Sequence, residues 1–369
     1  GGAAGSLAEF FAPIVDPGPP EPALDIAQPQ VLRDPATGRW VLAAVAWPKD
    51  PDLHWPVVLL SASDTPDPTA SWCSHFVAVG REIDGTDRAV LDRVELALTR
   101  RGLVVLSNLT ALESDGARRF AAARLHVAPT AQLFGASCEA VDLARYDLID
   151  EGSDPNFDRA ALAASEPVGD TVYALGSGAA GGLEVRIWEI PVQADGAFGL
   201  ISDWTVAVPP YDVPPDAVQP GTPVAIYSGG SEIRSAAVRG DSLWAVQSLD
   251  DGGRAGIGWY RFDLADLDAS EWGRFGIGDA DHAFYPAIEP AECDNAYVVY
   301  GVSGPARAAG VGLTDIRGDQ AYDIAVGEGC VGGRGDGAAA WGAQIGLAVD
   351  PDSGKVWGHA PFAAGIAAD

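Results

Sequence analysis

No methionine occurs anywhere in the 369 residues, and Lys49 and Lys355 are the only lysines. A start without methionine predicts a processed end, most simply one left by removal of a signal peptide. The scarcity of lysine accompanies an excess of acid: 23 basic residues face 52 acidic ones, a net charge of −29. A field of that sign repels phosphate backbones and anionic headgroups, which excludes nucleic acid and membrane surfaces as partners. Runs of about 18 apolar residues are absent too, so no membrane insertion is expected. Cysteine is limited to Cys73, Cys138, Cys293 and Cys330, widely spaced and without a CxxC pair. An even count lacking metal-site spacing predicts two disulfides in an oxidising compartment, with four buried thiols as the alternative. Of the possible pairings, Cys73–Cys138 with Cys293–Cys330 keeps each bridge local. Together these features predict a secreted or cell-surface protein.

Catalytic signatures are equally scarce. The chain contains no HExxH, no GxSxG, no P-loop and no GxGxxG opening a helix. GSGAAGG (176–182) and GEGCVGG (327–333) are Gly-rich, but neither leads into a phosphate-binding helix. His54, His75, His126, His282 and His359 stand singly, with no HxH or HxxxH pair, and each reads as a hydrogen-bonded structural histidine. No metal or other cofactor is expected. Calcium is the one ion to consider, because DPDSG (350–354) and DDGG (250–253) are acidic turns; neither has the DxDxDG spacing of a dedicated calcium loop.

What the chain does contain is a repeat. Six times a short apolar strand is followed by a turn of Asp, Gly, Pro or Arg and then by an apolar or aromatic strand. The copies are QVLRDPATGRWVLAAVAW (30–47), ELALTRRGLVVLSNL (95–109), LAASEPVGDTVYALGSG (162–178), SAAVRGDSLWAVQSL (235–249), AIEPAECDNAYVVYGVSG (287–304) and GLAVDPDSGKVWGHAPF (346–362). They recur at roughly 50 to 75 residues, and second hairpins stand between several of them, as in VVLLSASDTPDPTASWCSHFVAV and IGWYRFDLADLDASEWGRFGI. Two hairpins make a four-stranded antiparallel blade, which buries its faces only by stacking on other blades. The expectation is therefore an all-β chain: a single β-propeller of four-stranded blades, six or seven in number, over residues 28–369, with 1–27 an extended N-terminal lead-in. The competing architecture, two β-sandwiches, does not explain one repeat running the length of the chain. VPPYDVPPDAVQPGTP (208–223) reads as a long loop between blades.

The repeat also explains the tripeptide Arg239-Gly240-Asp241. It occupies the position where other copies carry DPATG, RRG, PVGD, AECDN and DPDSG, so it reads as a hairpin turn and not as an adhesion signal. Arg317-Gly318-Asp319 follows the same logic; Arg334-Gly335-Asp336 lies in a Gly-rich stretch. Asn108-Leu109-Thr110 is a formal glycosylation sequon inside an expected strand. Trp40, Trp244 and Trp357 fall at equivalent repeat positions and are expected to pack between blades, while Trp55, in DLHWP, is a candidate sugar platform.

DPATGRWVLAAVAW followed by LSASDTPDPTASW, ELALTRRGLVVLSNLTAL, the PPYDVPPDAVQPGTP loop, EIRSAAVRGDSLWAVQS, GIGWYRFDL, FYPAIEP and AQIGLAVDPDSGKVWG together resemble bacterial exported β-propeller proteins of mostly unknown function, within the sialidase-like propellers in the broad sense. The resemblance spans residues 28–362 and implies fold and address, not a reaction. Two departures qualify it. No copy carries the SxDxGxTW box, and GGRGDGAAAWGAQIG stands where a sequence like RWGDYSG is expected.

A propeller offers a funnel at one end of its axis, lined by residues just before each repeat copy. That places Gln30, Asp92, Arg234, Tyr285 and Gln344 there, with Gln219 from the long loop and Arg334 and Asp336 beside the last copy. Arginine suits bidentate pairing with a carboxylate, so an acidic sugar is one candidate ligand; the alternative is an internal ion-pair network. Two main functions follow. The first is a binding or scaffold module at the cell surface, within a larger extracellular assembly, with a protein or carbohydrate partner. The second is a carbohydrate-active enzyme, a glycoside hydrolase or polysaccharide lyase working in the funnel, with separated carboxylates as acid and base. A metal-dependent oxidase with histidine ligands is a third, weaker reading.

Overall fold

The computed structural model describes residues 6–15, 24–48, 57–78, 89–112, 118–135, 138, 141–150, 157, 159–163, 165–166, 168–291, 294–317, 321–328, 330–331, 339, 341–342, 345–349 and 356–361. The chain is all-β and is built from four-stranded antiparallel blades of the propeller type. Five blades occur among the described residues, not six or seven. Blade I comprises Leu24–Arg33, Trp40–Pro48, Val57–Ser63 and Trp72–Ala78, and blade II comprises Ala89–Leu98, Gly102–Leu112, Arg118–Pro129 and Ala144–Asp150. Blade III is formed by Arg159–Ala163, Thr171–Ser177, Gly182–Pro191 and Ser202–Tyr211. Blade IV contains Ile233–Arg239, Ser242–Asp250, Ala255–Asp263 and Asp268–Phe275, with Ser165–Glu166 added in parallel. Blade V contains His282–Pro290, Ala296–Gly304, Arg307–Asp315 and Ala321–Ala325.

Five of the six repeat copies form the antiparallel hairpins expected of them; in the third, Ser165–Glu166 pairs in parallel with blade IV, and the inner strand of blade III is Arg159–Ala163, most of which precedes the copy. The first, second, fourth and fifth supply the first two strands of blades I, II, IV and V, and the third supplies Thr171–Ser177 of blade III. The sixth pairs Gly346–Val349 with Val356–His359, and among the described residues this sheet has two strands, so it is not counted as a blade. At the N-terminus, Leu7–Val15 within the 1–27 lead-in is helical where extended chain was expected. Ser6 Oγ accepts from Glu9 N and Glu9 Oε2 accepts from Ser6 N, a capping box that starts the helix. The 208–223 segment is only partly loop, because Ala217–Gln219 and Thr222–Ile226 form a hairpin of their own.

The chain divides into two compact units. One is Gly1–Ala164, Val168–Tyr173 and Glu189–Ser202; the other is Ser165–Pro167, Ala174–Trp188 and Asp203–Asp369. In the first unit, alternate residues of blades I and II meet in a core of Val41, Val45, Val58, Leu60, Leu103, Val105 and Leu109. In the second, Trp244, Val246, Ile257 and Trp259 of blade IV pack on Ile288, Val298, Tyr300 and Val302 of blade V. Central strands such as Val57–Ser63 and Ser242–Asp250 are buried on both faces, whereas an outer strand such as Asp268–Phe275 alternates exposed with half-buried residues. Cys73 and Cys138 are disulfide-bonded as expected, joining the outer strand of blade I to the segment after Thr130–Leu133. Cys293 lies outside the described residues, and Cys330 has no disulfide partner among them.

Of the aligned tryptophans, Trp244 is buried and Trp40 donates to Pro66 O (2.9 Å), but Trp357 is 64% exposed. The expectation that Trp357 packs between blades fails: among the described residues its hairpin has no further strand beside it, and the ring stays exposed. Gly240 has φ 59° and Arg239 pairs with Ser242, so the tripeptide is a hairpin corner in which Gly240-Asp241 form the two-residue turn. Arg239 is further tied to blade V, donating from Nη1 to Pro290 O (3.1 Å). Gly318, Asp319 and residues 334–336 lie outside the described residues, as does Trp55.

Candidate binding site

The innermost strands share an irregularity that local sequence patterns conceal. In four blades the first strand loses register at one place: between Ala27 and Gln30, Leu91 and Arg93, Ile233 and Ser235, and Phe284 and Ala287. These β-bulges fall on four predicted site positions, namely Gln30 at the edge of its bulge and Asp92, Arg234 and Tyr285 within theirs. A bulge bends its strand and re-aims a side chain, a common device beside binding sites. Gln28 and Tyr285, each followed by proline, adopt φ 53° and 52°. Positive φ is costly for such residues, about 1–3 kcal/mol, so the surrounding packing must impose it.

In the first unit the re-aimed groups are consumed by the neighbouring blade. Gln30 Nε2 donates to Val94 O (2.6 Å) and Gln30 Oε1 accepts from Leu96 N (3.2 Å). Glu95, also in the first strand of blade II, accepts from Leu162 N and holds Arg93 at 2.6 Å. Arg93 donates to Ala160 O (3.1 Å), and Asn108 brackets Ala160 with Nδ2 to its oxygen (2.9 Å) and Oδ1 from its nitrogen (3.0 Å). Gln30 is therefore a latch between first strands. The buried amide of Asn108 is likewise committed, so the sequon is structural. The side chain of Asp92 lies outside the described residues.

In the second unit two bulges meet. The Arg234 guanidinium stands over the Tyr285 ring, 4.8 Å from its centroid, and Arg234 Nη1 reaches Glu232 Oε1 at 3.2 Å. Glu232 is 1% exposed and Tyr285 5%. Tyr285 N donates to Ser248 Oγ (3.0 Å), and Ile233 N donates to Ser177 Oγ (2.7 Å), which fix the two bulged strands. Gly229, at φ 86°, lies against the ring: a Cβ there would stand 2.9 Å from Tyr285 Cε1. Next to it Ser228 is fully buried, and its Oγ has no hydrogen-bond partner among the described residues. The constellation is thus a cation–π pair whose charge is balanced by a buried carboxylate, rigid and largely desolvated.

Gln219 belongs elsewhere in this unit. Its amide clasps Val331, with Oε1 accepting from Val331 N (2.7 Å) and Nε2 donating to Val331 O (3.1 Å) and Val224 O (2.9 Å). Arg334, Asp336 and Gln344 lie outside the described residues. Sequence reading missed Glu232 and Ser228; the signal was SGGSE immediately before Ile233, where Gly229 lets the backbone approach the Tyr285 ring and Gly230 lies against Glu232 and Ala179. Among the described residues no group of three His, Cys, Asp or Glu is placed to hold a metal ion. His282 Nδ1 accepts from Ala255 N (3.1 Å), and burial lowers its pKa, a structural role. Burial first, then Arg124 and Arg145, push His126 down to about 4, with Asp147 opposing them.

No family model matches the chain, and no curated protein matches it. The resemblance to exported propellers therefore rests on the motifs quoted above, and nothing supports a narrower sialidase-like grouping. Among solved structures the chain is similar to a protein of unknown function from Dyadobacter fermentans (11% identity, 85% of each chain covered, TM-score 0.48). It is also similar to an endo-arabinase from Bacteroides thetaiotaomicron (10% identity, 84% of this chain and 95% of that one, TM-score 0.38). A third is a Synechocystis apocarotenoid oxygenase, at 11% identity and TM-score 0.43, where 83% of this chain covers 62% of the other. Likeness at this level assigns no activity. No helix among the described residues is long and apolar enough to cross a membrane.

Proposed function

We propose that the protein is an exported or cell-surface propeller that acts as a binding or scaffold module. The observation that supports it most directly is the state of the bulge side chains. Arg234 is spent on Glu232 and on Tyr285, and Gln30 and Gln219 on neighbouring backbone. A site with balanced charge and strained, tightly held backbone suits recognition by shape. General acid–base work needs a carboxylate free to exchange a proton with its substrate.

A carbohydrate-active enzyme is the second reading, and one feature favours it: the buried carboxylate of Glu232 beside an aromatic ring and an arginine. The test is a panel of neutral and uronic-acid polysaccharides, assayed in parallel for binding by calorimetry and for release of reducing or unsaturated ends. Binding without product supports the module. Product formation that is lost in Glu232→Gln and in Arg234→Met would establish the enzyme instead.

A further inference from the structure

Each blade ends in an outer strand whose edge invites another strand, and natural sheets protect such edges. Four blades here do so. In blade I the helix Leu7–Val15 packs on the face of the first three strands and reaches the outer one through Phe10, edge-on to Trp72 at 5.2 Å. Blade II carries Arg145 and Asp147 in its outer strand, paired at 2.7 Å. Blade III ends in Pro209 and Pro210, which cannot donate to a ladder. Blade IV presents Asp268, Glu271 and Arg274.

Blade V differs. Its outer strand, Ala321–Ala325, exposes Tyr322 (55%) and Ile324 (58%), and Val326 (61%) continues the same alternation. These three residues share one face at a spacing of two. Among the described residues no strand pairs with the outer edge. The only charged side chain in the strand is Asp323, which is bonded to Arg307.

We propose that this edge is a docking site for an extended peptide segment of alternating apolar and basic residues, added as a fifth antiparallel strand of blade V. Backbone hydrogen bonds would supply affinity. Apolar partner side chains would cover Tyr322, Ile324 and Val326, and a Lys or Arg would stand opposite Asp323. Charge selects this occupant over a second copy of the chain. Asp323 is the central residue of the strand, so symmetric antiparallel self-pairing sets it against its own copy, between molecules that each carry −29. The inference rests on the binding-module reading and names its surface.

The test uses the whole protein and a short capped peptide of alternating valine and lysine, with a valine–glutamate peptide and a proline-interrupted one as controls. The valine–lysine peptide is expected to bind, to slow amide exchange across residues 321–326, and to bind Ile324→Lys about tenfold more weakly or worse. Asp323→Lys should shift preference toward the valine–glutamate peptide. Unchanged thermal unfolding in both variants shows that the blade stays intact. No binding, equal binding to Ile324→Lys, or exchange protection elsewhere would overturn the proposal. So would a dimer of the protein that Ile324→Lys dissolves. Any of these outcomes, with polysaccharide binding intact and turnover absent, removes the edge while leaving the module reading in place. Polysaccharide turnover lost in the Arg234 variant removes that reading alone.

Discussion

Replacing Gln219 separates a ligand-binding residue from a latch. Its amide makes three hydrogen bonds, to Val331 N, Val331 O and Val224 O, and the residue is 4% exposed. Each bond is worth about 0.5–1.5 kcal/mol net, and truncation strands groups that water reaches only in part. Gln219→Ala should therefore cost roughly 2–3 kcal/mol, the middle of the range for three such bonds. Gln219→Glu is the sharper probe. The carboxylate still accepts from Val331 N, but it sets a negative oxygen against two carbonyl oxygens where the amide nitrogen donated. The charged form is disfavoured, so the folded pKa of this Glu rises above its unfolded value of about 4.3. At low pH both states are protonated and the penalty relative to the native chain is smallest. It grows as pH rises from the unfolded pKa through the folded one, and then levels off. Urea titrations followed by tryptophan fluorescence, for native chain and both variants at several pH values, measure it. A Gln219→Ala protein within about 0.5 kcal/mol of native would refute the latch argument, since that is the range of surface substitutions.

Three further outcomes are expected. Removing the Cys73–Cys138 bridge with a double Ser substitution should destabilise by about 4 kcal/mol through loop-closure entropy across its 65-residue separation, read as a lower urea midpoint. His126 is held near pKa 4, so the unfolded chain binds its proton first as pH falls; stability should drop by up to about 3 kcal/mol between roughly pH 6.5 and 4. His126→Gln, compared with native across that window, should remove this part of the slope; Arg124, Arg145 and Asp147 are the charges that face the ring. Finally, Gly240→Ala should cost about 1–2 kcal/mol because its φ of 59° is left-handed, whereas the exposed Asp241→Ala should leave both stability and cell adhesion unchanged. Loss of adhesion in Asp241→Ala would restore the tripeptide as a signal.

Adjacent strands and tight turns are short-range matters. Alternation marks a strand, and glycine or aspartate marks the place where the backbone must reverse, so five of the six hairpins and the turn at Gly240 were legible in the sequence. The Cys73–Cys138 pairing was a preference among three and was correct. The recurring hairpin pattern likewise set the all-β fold class without any coordinates.

Tertiary structure decided the rest, because the deciding partners are far away along the chain. Gln30 looked like a ligand contact, yet its acceptor is Val94, and the partner of Gln219 is 112 residues distant. The bulges that carry Arg234 and Tyr285 depend on which residues oppose them on the next strand. No single-strand pattern records a register shift. Blade number depended on whether a hairpin finds outer strands to pair with, which the sixth copy does not do among the described residues. A residue's own chemistry is written in the sequence; whether a neighbouring blade consumes it is settled only when the chain packs.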